Sequence, residues 1–146
     1  MSEAITRFRG EYEFLSNFYE SPVTFGGLTY GSTEAAFQAQ KCTTDEERKA
    51  FTEYRPMDSK KAGRNVKLRP DWDSVKVGLM EGIIRAKFTQ NAGLAERLIA
   101  TGGRELVEGN NWHDLFWGAD GKTGEGENHL GRILMKIRDE LMRSQS

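Results

Sequence analysis

Hydrophobic residues make up 37% and charged residues 29% of the 146-residue chain, a balance that excludes a disordered polymer and fits one folded domain, residues 1–146. The formal net charge of −1 excludes a global electrostatic attraction to nucleic acid. No apolar run reaches the roughly 20 residues that span a bilayer.

The N-terminal residues lack the apolar core of a signal peptide, and Cys42 is the only cysteine. A single cysteine excludes an internal disulfide framework and is typical of a reducing compartment, so we expect a cytoplasmic protein with no membrane partner. His113 and His129 are the only histidines and lie outside zinc-ligand spacing. We therefore expect no metal and no cofactor. A Mg²⁺ ion bound by carboxylates, which needs no histidine ligand, remains the alternative.

The first half of the chain predicts a β-hairpin followed by three helices. Apolar and polar residues alternate from Val23 to Tyr30 around Gly26-Gly27, a pair that favours a tight hairpin turn. Ser32 or Thr33 then caps a helix that runs to about Lys41. A capping box, Thr44 with Glu47, predicts a second helix to about Tyr54, and Pro56 begins a third that ends near Gly63.

The second half predicts three further helices and a short strand. The longest helix runs from about Asp71 to Thr89, with Trp72, Val75, Leu79 and Ile83 at helical spacing. We expect helices at about 92–100 and 127–143, and a short strand at 105–108 between them. The predicted architecture is therefore α+β, a single, mainly helical domain with an N-terminal β-hairpin.

Three segments carry candidate chemistry. On the first helix, Glu34, Gln38 and Lys41 follow i, i+4, i+7 spacing and share one face, although Glu34 at the start and Lys41 at the end also suit the helix dipole. Asp114 lies among Trp112, Phe116 and Trp117, where aromatic surroundings can raise a carboxyl pKa and bases can stack; a hydrophobic cluster around a turn aspartate is the alternative.

The glycine-rich loop 118–128 before the last helix could bring backbone N–H groups to an anion, or it could be only a flexible connection. Between Arg55 and Arg69, six basic residues face a single Asp58, a pattern that suits phosphates or a solvated surface.

Seven stretches in this order resemble the YbiA/NADAR family, and the match covers nearly the whole chain. They are 14–18 (FLSNF), 32–41 (STEAAFQAQK), 63–64 with 68–73 (GR, LRPDWD), 80 with 86–88 (M, AKF), 106–108 (LVE), 114–118 (DLFWG) and 126–131 with 134–135 (GENHLG, LM). The resemblance implies a YbiA-like fold and an N-glycosidase that hydrolyses the bond between a ribose and a nitrogenous base.

The family's implicated glutamate, tryptophan and aspartate match Glu34, Trp72 and Asp114. On this basis we expect Glu34 and Asp114 to share the roles of cation stabiliser and acid/base. In the family branch that removes ADP-ribose from guanine in DNA, the resemblance implies a lysine that forms an imine with the sugar, with Lys41 preferred and Lys60 second. The residues expected to bind substrate are Trp72, Trp117, Gln38, Arg64, Asn128, Lys60 and Asn17.

The resemblance leaves the substrate open. One branch removes ADP-ribose from guanine in DNA, opposing a toxin; another hydrolyses ribosylamino-pyrimidine phosphates of riboflavin synthesis. The basic segment slightly favours ADP-ribosylated DNA, with a possible toxin counterpart, over a nucleotide-like small molecule. A non-enzymatic reader of ADP-ribose is the remaining alternative, and the oligomeric state is open.

Overall fold

The structure is a computed structural model that describes residues 3–145. Its residue contacts divide the chain into two compact units: a central unit, Asn17–Asn91, and a terminal unit formed by residues 3–16 and 92–145. The α+β, mainly helical architecture and the N-terminal β-hairpin are confirmed. No helix among the described residues is long and apolar enough to cross a membrane.

The central unit begins with the hairpin of β1 (Glu20–Phe25) and β2 (Leu28–Ser32), which pair in antiparallel register. Gly26 and Gly27 both adopt positive φ, of 60° and 84°, at the turn. Glycine reaches these angles without steric cost, which is why the pair predicts the hairpin correctly. Val23 and Tyr30 are cross-strand partners on the buried face.

Four helices complete the central unit: α1 (Thr33–Ala39), α2 (Asp45–Lys49), α3 (Pro56–Gly63) and α4 (Trp72–Gln90). The predicted bounds of the first two are too long. After α1 the backbone N–H groups bond three residues back, and after α2 the chain tightens into a 3-10 helix, Ala50–Glu53. The buried face of α4 carries Met80, Ile83, Ile84, Lys87 and Phe88.

The terminal unit contains a 3-10 helix (Gly10–Leu15), whose Phe14 and Leu15 are buried, and two helices that pack against each other, α5 (Ala92–Ala100) and α6 (His129–Ser144). The predicted strand at 105–108 is wrong, because only Leu106 forms a bridge, with Ile5. The N–H of Glu108 donates instead to the Asn128 side chain. Two short parallel strands, β3 (Gly109–Asn110) and β4 (Ala119–Asp120), follow instead.

Candidate functional site

Glu34 lies in the first turn of α1, where the chain leaves β2. The Ser32 hydroxyl caps the helix by accepting from the Ala35 N–H at 3.1 Å, and the Glu34 N–H donates to the Asn17 carbonyl at 3.0 Å. These bonds fix the backbone on both sides of the carboxylate. The residue is only 7% exposed, and an acidic side chain is rarely so buried unless other groups stabilise it.

Gln38, one turn further along α1, holds the Glu34 carboxylate. Its Nε2 donates to Glu34 Oε2 at 2.7 Å, and Gln38 is also 7% exposed. Its Oε1 is buried without a hydrogen-bond partner among the described residues. A Cβ added to Gly63 would lie 2.0 Å from that oxygen. The absence of a side chain at Gly63 therefore leaves the space in which the Gln38 amide sits.

Lys41 extends the same line of polar groups beyond the end of α1. Burial lowers the pKa of its amine; the negative charge of Glu34 acts in the opposite direction, and the positive charge of Arg64 adds to the lowering. A lowered pKa increases the share of neutral, nucleophilic amine at a given pH. The helical spacing thus places Gln38 in hydrogen-bond contact with Glu34, and Lys41 within reach of the Glu34 charge.

Trp72 forms an aromatic wall beside Lys41. The Lys41 Nζ lies 5.8 Å from the Trp72 ring centroid, and the Phe37 and Trp72 centroids are 5.0 Å apart. The Arg69 N–H donates to the Lys41 carbonyl at 3.0 Å, which ties the start of α4 to the end of α1. Because Trp72 is 8% exposed, most of its indole packs inside the unit.

A second lysine of the central unit is buried in aromatic surroundings. Lys87 is 1% exposed, and its Nζ lies 5.5 Å from the Tyr19 ring and 5.1 Å from the Phe88 ring. Burial lowers the pKa of its amine to about 7. Lys87 shares the buried face of α4 with Met80, whose sulfur accepts from Asn17 Nδ2 at 3.7 Å.

The basic segment Arg55–Arg69 is partly neutralised. Arg55 pairs with Glu20 at 2.8 Å and Arg69 with Asp71 at 2.6 Å. Lys60 lies with its Nζ 5.8 Å from the Phe18 ring centroid. Among the described residues, four cations of the segment form no ion pair: Lys60, Lys61, Arg64 and Lys67.

Asp114 belongs to the terminal unit, where its side chain organises a turn. Its Oδ1 accepts from the N–H groups of Phe116 at 3.2 Å and Trp117 at 2.9 Å. The Asn110 side chain holds the Asp114 backbone through both its amide oxygen and its amide nitrogen. The turn fixes Trp117, whose ring lies edge-on to Phe116 at 4.9 Å.

The glycine-rich loop and Asn128 satisfy much of their own hydrogen-bonding capacity. Asp120 Oδ1 accepts from the N–H groups of Lys122 and Thr123 at 2.8 and 2.9 Å, so these two N–H groups are already bound to an internal carboxylate. The Asn128 amide donates to the Leu106 carbonyl and accepts from the Glu108 N–H, both at 3.0 Å. These contacts tether the loop 106–108 to the start of α6.

A family model described as the NADAR domain matches residues 6–142. The chain belongs to the NADAR family. N-glycosidase YbiA of Shigella flexneri is 40% identical over 134 residues, which cover 90% of this chain and 82% of that protein. The NMR structure of Escherichia coli YbiA superposes with a TM-score of 0.85 at 36% identity, covering 99% of this chain and 89% of the other.

A riboflavin biosynthesis protein of Vibrio vulnificus is 43% identical over 133 residues, 88% of this chain. The NADAR chain spans only 35% of the length of that relative. The predicted membership of the YbiA/NADAR family is confirmed. The predicted enzyme class, an N-glycosidase, is confirmed at the level of the family.

The two units of the NADAR chain divide the expected site residues. The terminal unit holds Asp114, Trp117 and Asn128, and the central unit holds Asn17, Glu34, Gln38, Lys41, Lys60, Arg64 and Trp72. Hydrogen bonds, ring contacts and electrostatic interactions connect the members of one group, which we name the Glu34 centre: Asn17, Glu34, Gln38, Lys41 and Trp72.

Lys87 lies in the stretch 86–88 that carries the family resemblance, but it is not among the residues expected to form the site. The sequence does carry a signal for it, because Lys87 interrupts the apolar stripe of α4 at a position four residues after Ile83, where an apolar residue is expected. Among the described residues, no group of three or more His, Cys, Asp or Glu side chains is arranged to hold a metal ion.

Proposed function

We propose that this NADAR protein hydrolyses the ribose–nitrogen bond of a small, phosphorylated ribosylamino-pyrimidine, and that the Glu34 centre binds the reacting sugar. The observation that carries the proposal is a buried carboxylate held by Gln38 beside a desolvated lysine and an indole ring. The riboflavin biosynthesis name of the Vibrio vulnificus relative supports the substrate class.

The chemistry required matches this group of side chains. When the bond between C1′ and the base nitrogen breaks, positive charge develops on the sugar and negative charge on the leaving base. The Glu34 carboxylate, kept in place by Gln38, would stabilise the cation at C1′. Water then adds to C1′ and gives up a proton, while the departing base gains one. Trp72 would limit the position of the base or sugar through ring contact.

Lys41 is our preferred residue for any covalent step. A neutral amine adds to the C1′ aldehyde of an opened ribose, and loss of water gives an imine that hydrolysis reverses. Burial lowers the pKa of Lys41, which favours the neutral amine. Lys87 also provides a neutral amine near pH 7, because its pKa is lowered to about 7. It is more deeply buried than Lys41, with 1% of its surface exposed. Lys60 remains the second expectation from the family resemblance.

Asp114 keeps the acid/base role that the resemblance implies as part of the proposal. Its Oδ1 accepts from two backbone N–H groups, which hold the carboxyl group in a fixed position in its turn. Because Glu34 is proposed as the cation stabiliser, the acid/base role falls to Asp114. We also propose a cytoplasmic location, in line with a single buried cysteine.

Removal of ADP-ribose from guanine in DNA is the second candidate function. The observation in its favour is the set of four cations without ion pairs, Lys60, Lys61, Arg64 and Lys67, on a segment otherwise neutralised by Glu20 and Asp71. Cations of this kind bind DNA phosphates and release counterions, so the affinity would fall steeply with salt. With this function, the protein would reverse the DNA modification made by a toxin, which would be its counterpart.

The test offers the purified protein a ribosylamino-pyrimidine phosphate and, separately, a guanine-ADP-ribosylated oligonucleotide, and measures the release of base and of sugar. We expect release from the pyrimidine with little dependence on salt. Faster release from the oligonucleotide, with a strong salt dependence, would instead establish the second candidate. Tight binding of ADP-ribose with no release from either would establish a reader.

Glu34→Gln is the decisive variant, with Glu46→Gln as its control because Glu46 is an exposed glutamate on α2. We expect Glu34→Gln to reduce turnover by at least about a hundredfold, the scale of removing a group that stabilises developing charge. Glu46→Gln should keep wild-type turnover. A folded Glu34→Gln protein with full activity would contradict the assignment.

A further inference from the structure

A cavity of about 290 Å³ lies within the terminal unit, between the 3-10 helix Gly10–Leu15 and the end of α5. Its walls are Glu11, Tyr12, Phe14, Arg97, Ala100, Thr101 and Arg104. None of these residues belongs to the Glu34 centre, and none was expected to bind substrate. The volume is at the lower end of that of small-molecule sites.

Two arginines in the wall are held in place by contacts that leave their charge uncompensated. Arg97 lies with its guanidinium 4.2 Å from the Phe14 ring centroid and donates to the Glu11 carbonyl at 3.1 Å. Arg104 donates to the Tyr12 hydroxyl at 2.8 Å and stacks on the Tyr12 ring at 5.4 Å. Within residues 3–145, neither guanidinium forms an ion pair with a carboxylate.

A third guanidinium lies behind the wall. Arg138 is 5% exposed and donates to the Thr101 hydroxyl at 2.9 Å and to the Arg104 carbonyl at 2.8 Å. Its Nε is buried without a hydrogen-bond partner among the described residues. Burial lowers the pKa of Arg138 and the charge of Asp139 opposes that effect only in part, so an anion in the neighbouring cavity would offset part of the remaining cost of burial.

The side chains of the wall residues carry more hydrogen-bond donors than acceptors. The Tyr12 oxygen accepts from Arg104, so the hydroxyl proton remains to be donated elsewhere. The Thr101 hydroxyl already donates to the Leu98 carbonyl at 2.6 Å and accepts from Arg138, so it adds no further donor. Glu11 is the only carboxylate in the wall, against two arginines.

We propose that this cavity is a second ligand site that binds a small phosphorylated molecule the size of a sugar phosphate. Guanidinium groups bind phosphate oxygens with paired, charge-assisted hydrogen bonds, and rings stacked against them reduce the freedom lost on binding. The volume suits a ligand of sugar-phosphate size. The cavity shares no residue with the Glu34 centre, and the proposal does not depend on the reaction proposed for that centre.

The experiment is an NMR titration of ¹⁵N-labelled protein, at low salt and in a phosphate-free buffer, with ribose 5-phosphate, inorganic phosphate or uncharged ribose. We expect saturable shifts at the N–H groups of Tyr12, Arg97, Thr101 and Arg104 with the first two probes and none with ribose. Binding of ribose 5-phosphate alone would identify an organic phosphate as the ligand; equal binding of both would identify the phosphate group as sufficient.

Arg97→Gln and Arg104→Lys test the arginines, and Arg132→Gln is the control because it removes an exposed arginine from α6 of the same unit. We expect Arg97→Gln to raise the dissociation constant at least tenfold, Arg104→Lys to raise it less, and Arg132→Gln to leave it within twofold. A thermal melt of each variant checks folding. Shifts confined to the Glu34 centre, no saturable shift, or equal weakening by Arg97→Gln and Arg132→Gln would overturn the proposal.

Discussion

Gln38 Nε2 donates to Glu34 Oε2 at 2.7 Å, and both side chains are buried on one face of α1. The bond ties the orientation of the carboxylate to a residue one turn away. In Gln38→Met, which keeps a side chain of similar size, we expect kcat to fall about 10- to 100-fold, the effect of losing a hydrogen bond to a charged group. KM should change little, because Gln38 acts through Glu34.

The control for this substitution is Gln40→Met. Gln40 is equally buried, but its Nε2 donates to the Ala36 carbonyl at 3.0 Å rather than to Glu34. Circular dichroism and thermal melts should show similar losses of stability in both variants, while steady-state kinetics should show a lower kcat only in Gln38→Met. Equal kcat values for the two variants would remove Gln38 from the role of positioning Glu34.

A second prediction concerns the close packing of Gly63 against the same amide. In Gly63→Ala the new Cβ would lie 2.0 Å from Gln38 Oε1, so the amide must move and its bond to Glu34 must weaken. We expect a loss of about 1–3 kcal/mol in the free energy of unfolding, the usual cost of overpacking, together with lower turnover. Urea denaturation and kinetics measure the two effects.

Gly78→Ala is the matched change at an open position. Gly78 lies in α4, and a Cβ there would meet nothing within 4 Å. Alanine is a better helix former than glycine by about 0.5–1 kcal/mol, so this variant should be more stable than the wild type with unchanged turnover. The two alanine variants should therefore change stability in opposite directions.

Local signals in the sequence account for most of the helices and the hairpin. Gly26-Gly27 predicts the turn, and Pro56 and Gly63 predict the bounds of α3, because each residue restricts or frees its own backbone. The 105–108 segment escapes such reasoning. Its two adjacent apolar residues, Leu106 and Val107, are compatible with a strand, but the N–H of Glu108 bonds to Asn128, a partner 20 residues away in the chain.

In the candidate site, contacts within one helix could be predicted from the sequence, and contacts between helices could not. Helical spacing alone brings Glu34, Gln38 and Lys41 to one face of α1, and the structure shows the first two in direct contact. Spacing within one helix cannot reveal that Trp72 lies beside Lys41, or that Gly63 makes room for Gln38, since these contacts depend on how three helices pack. For Lys87, helical spacing places the residue on the apolar stripe of α4, but the 1% exposure of its side chain depends on what packs against that stripe.

A third prediction concerns Asp114, because substitutions can test its role in the turn independently of its negative charge. In Asp114→Asn the side-chain oxygen can still accept from the Phe116 and Trp117 N–H groups, whereas in Asp114→Ala it cannot. We expect the alanine variant to lose about 1 kcal/mol of stability and the asparagine variant to lose much less. If the carboxylate takes part in the reaction, both variants lose turnover; normal turnover in Asp114→Asn would restrict the residue to its turn.

The last prediction concerns Lys87 and pH. Burial lowers the pKa of its amine in the folded protein to about 7, below the usual value of 10.5 that applies to the unfolded chain. Between these two pH values the unfolded chain binds a proton that the folded protein does not, so the free energy of unfolding should rise with pH, by at most about 1.4 kcal/mol per unit. Below about pH 7 both states are protonated and this dependence should disappear.

Lys87→Met should lack this contribution, while Lys76→Met, which changes a less buried lysine on the same helix, should keep it. Urea denaturation of the three proteins at intervals from pH 6 to pH 10 measures the differences. The stability of the wild type relative to Lys87→Met should increase over that range, because the folded state is relieved of a buried positive charge as the amine loses its proton. A constant difference would mean that the ammonium is fully stabilised inside the protein, and that Lys87 is not a neutral amine available for chemistry near pH 7.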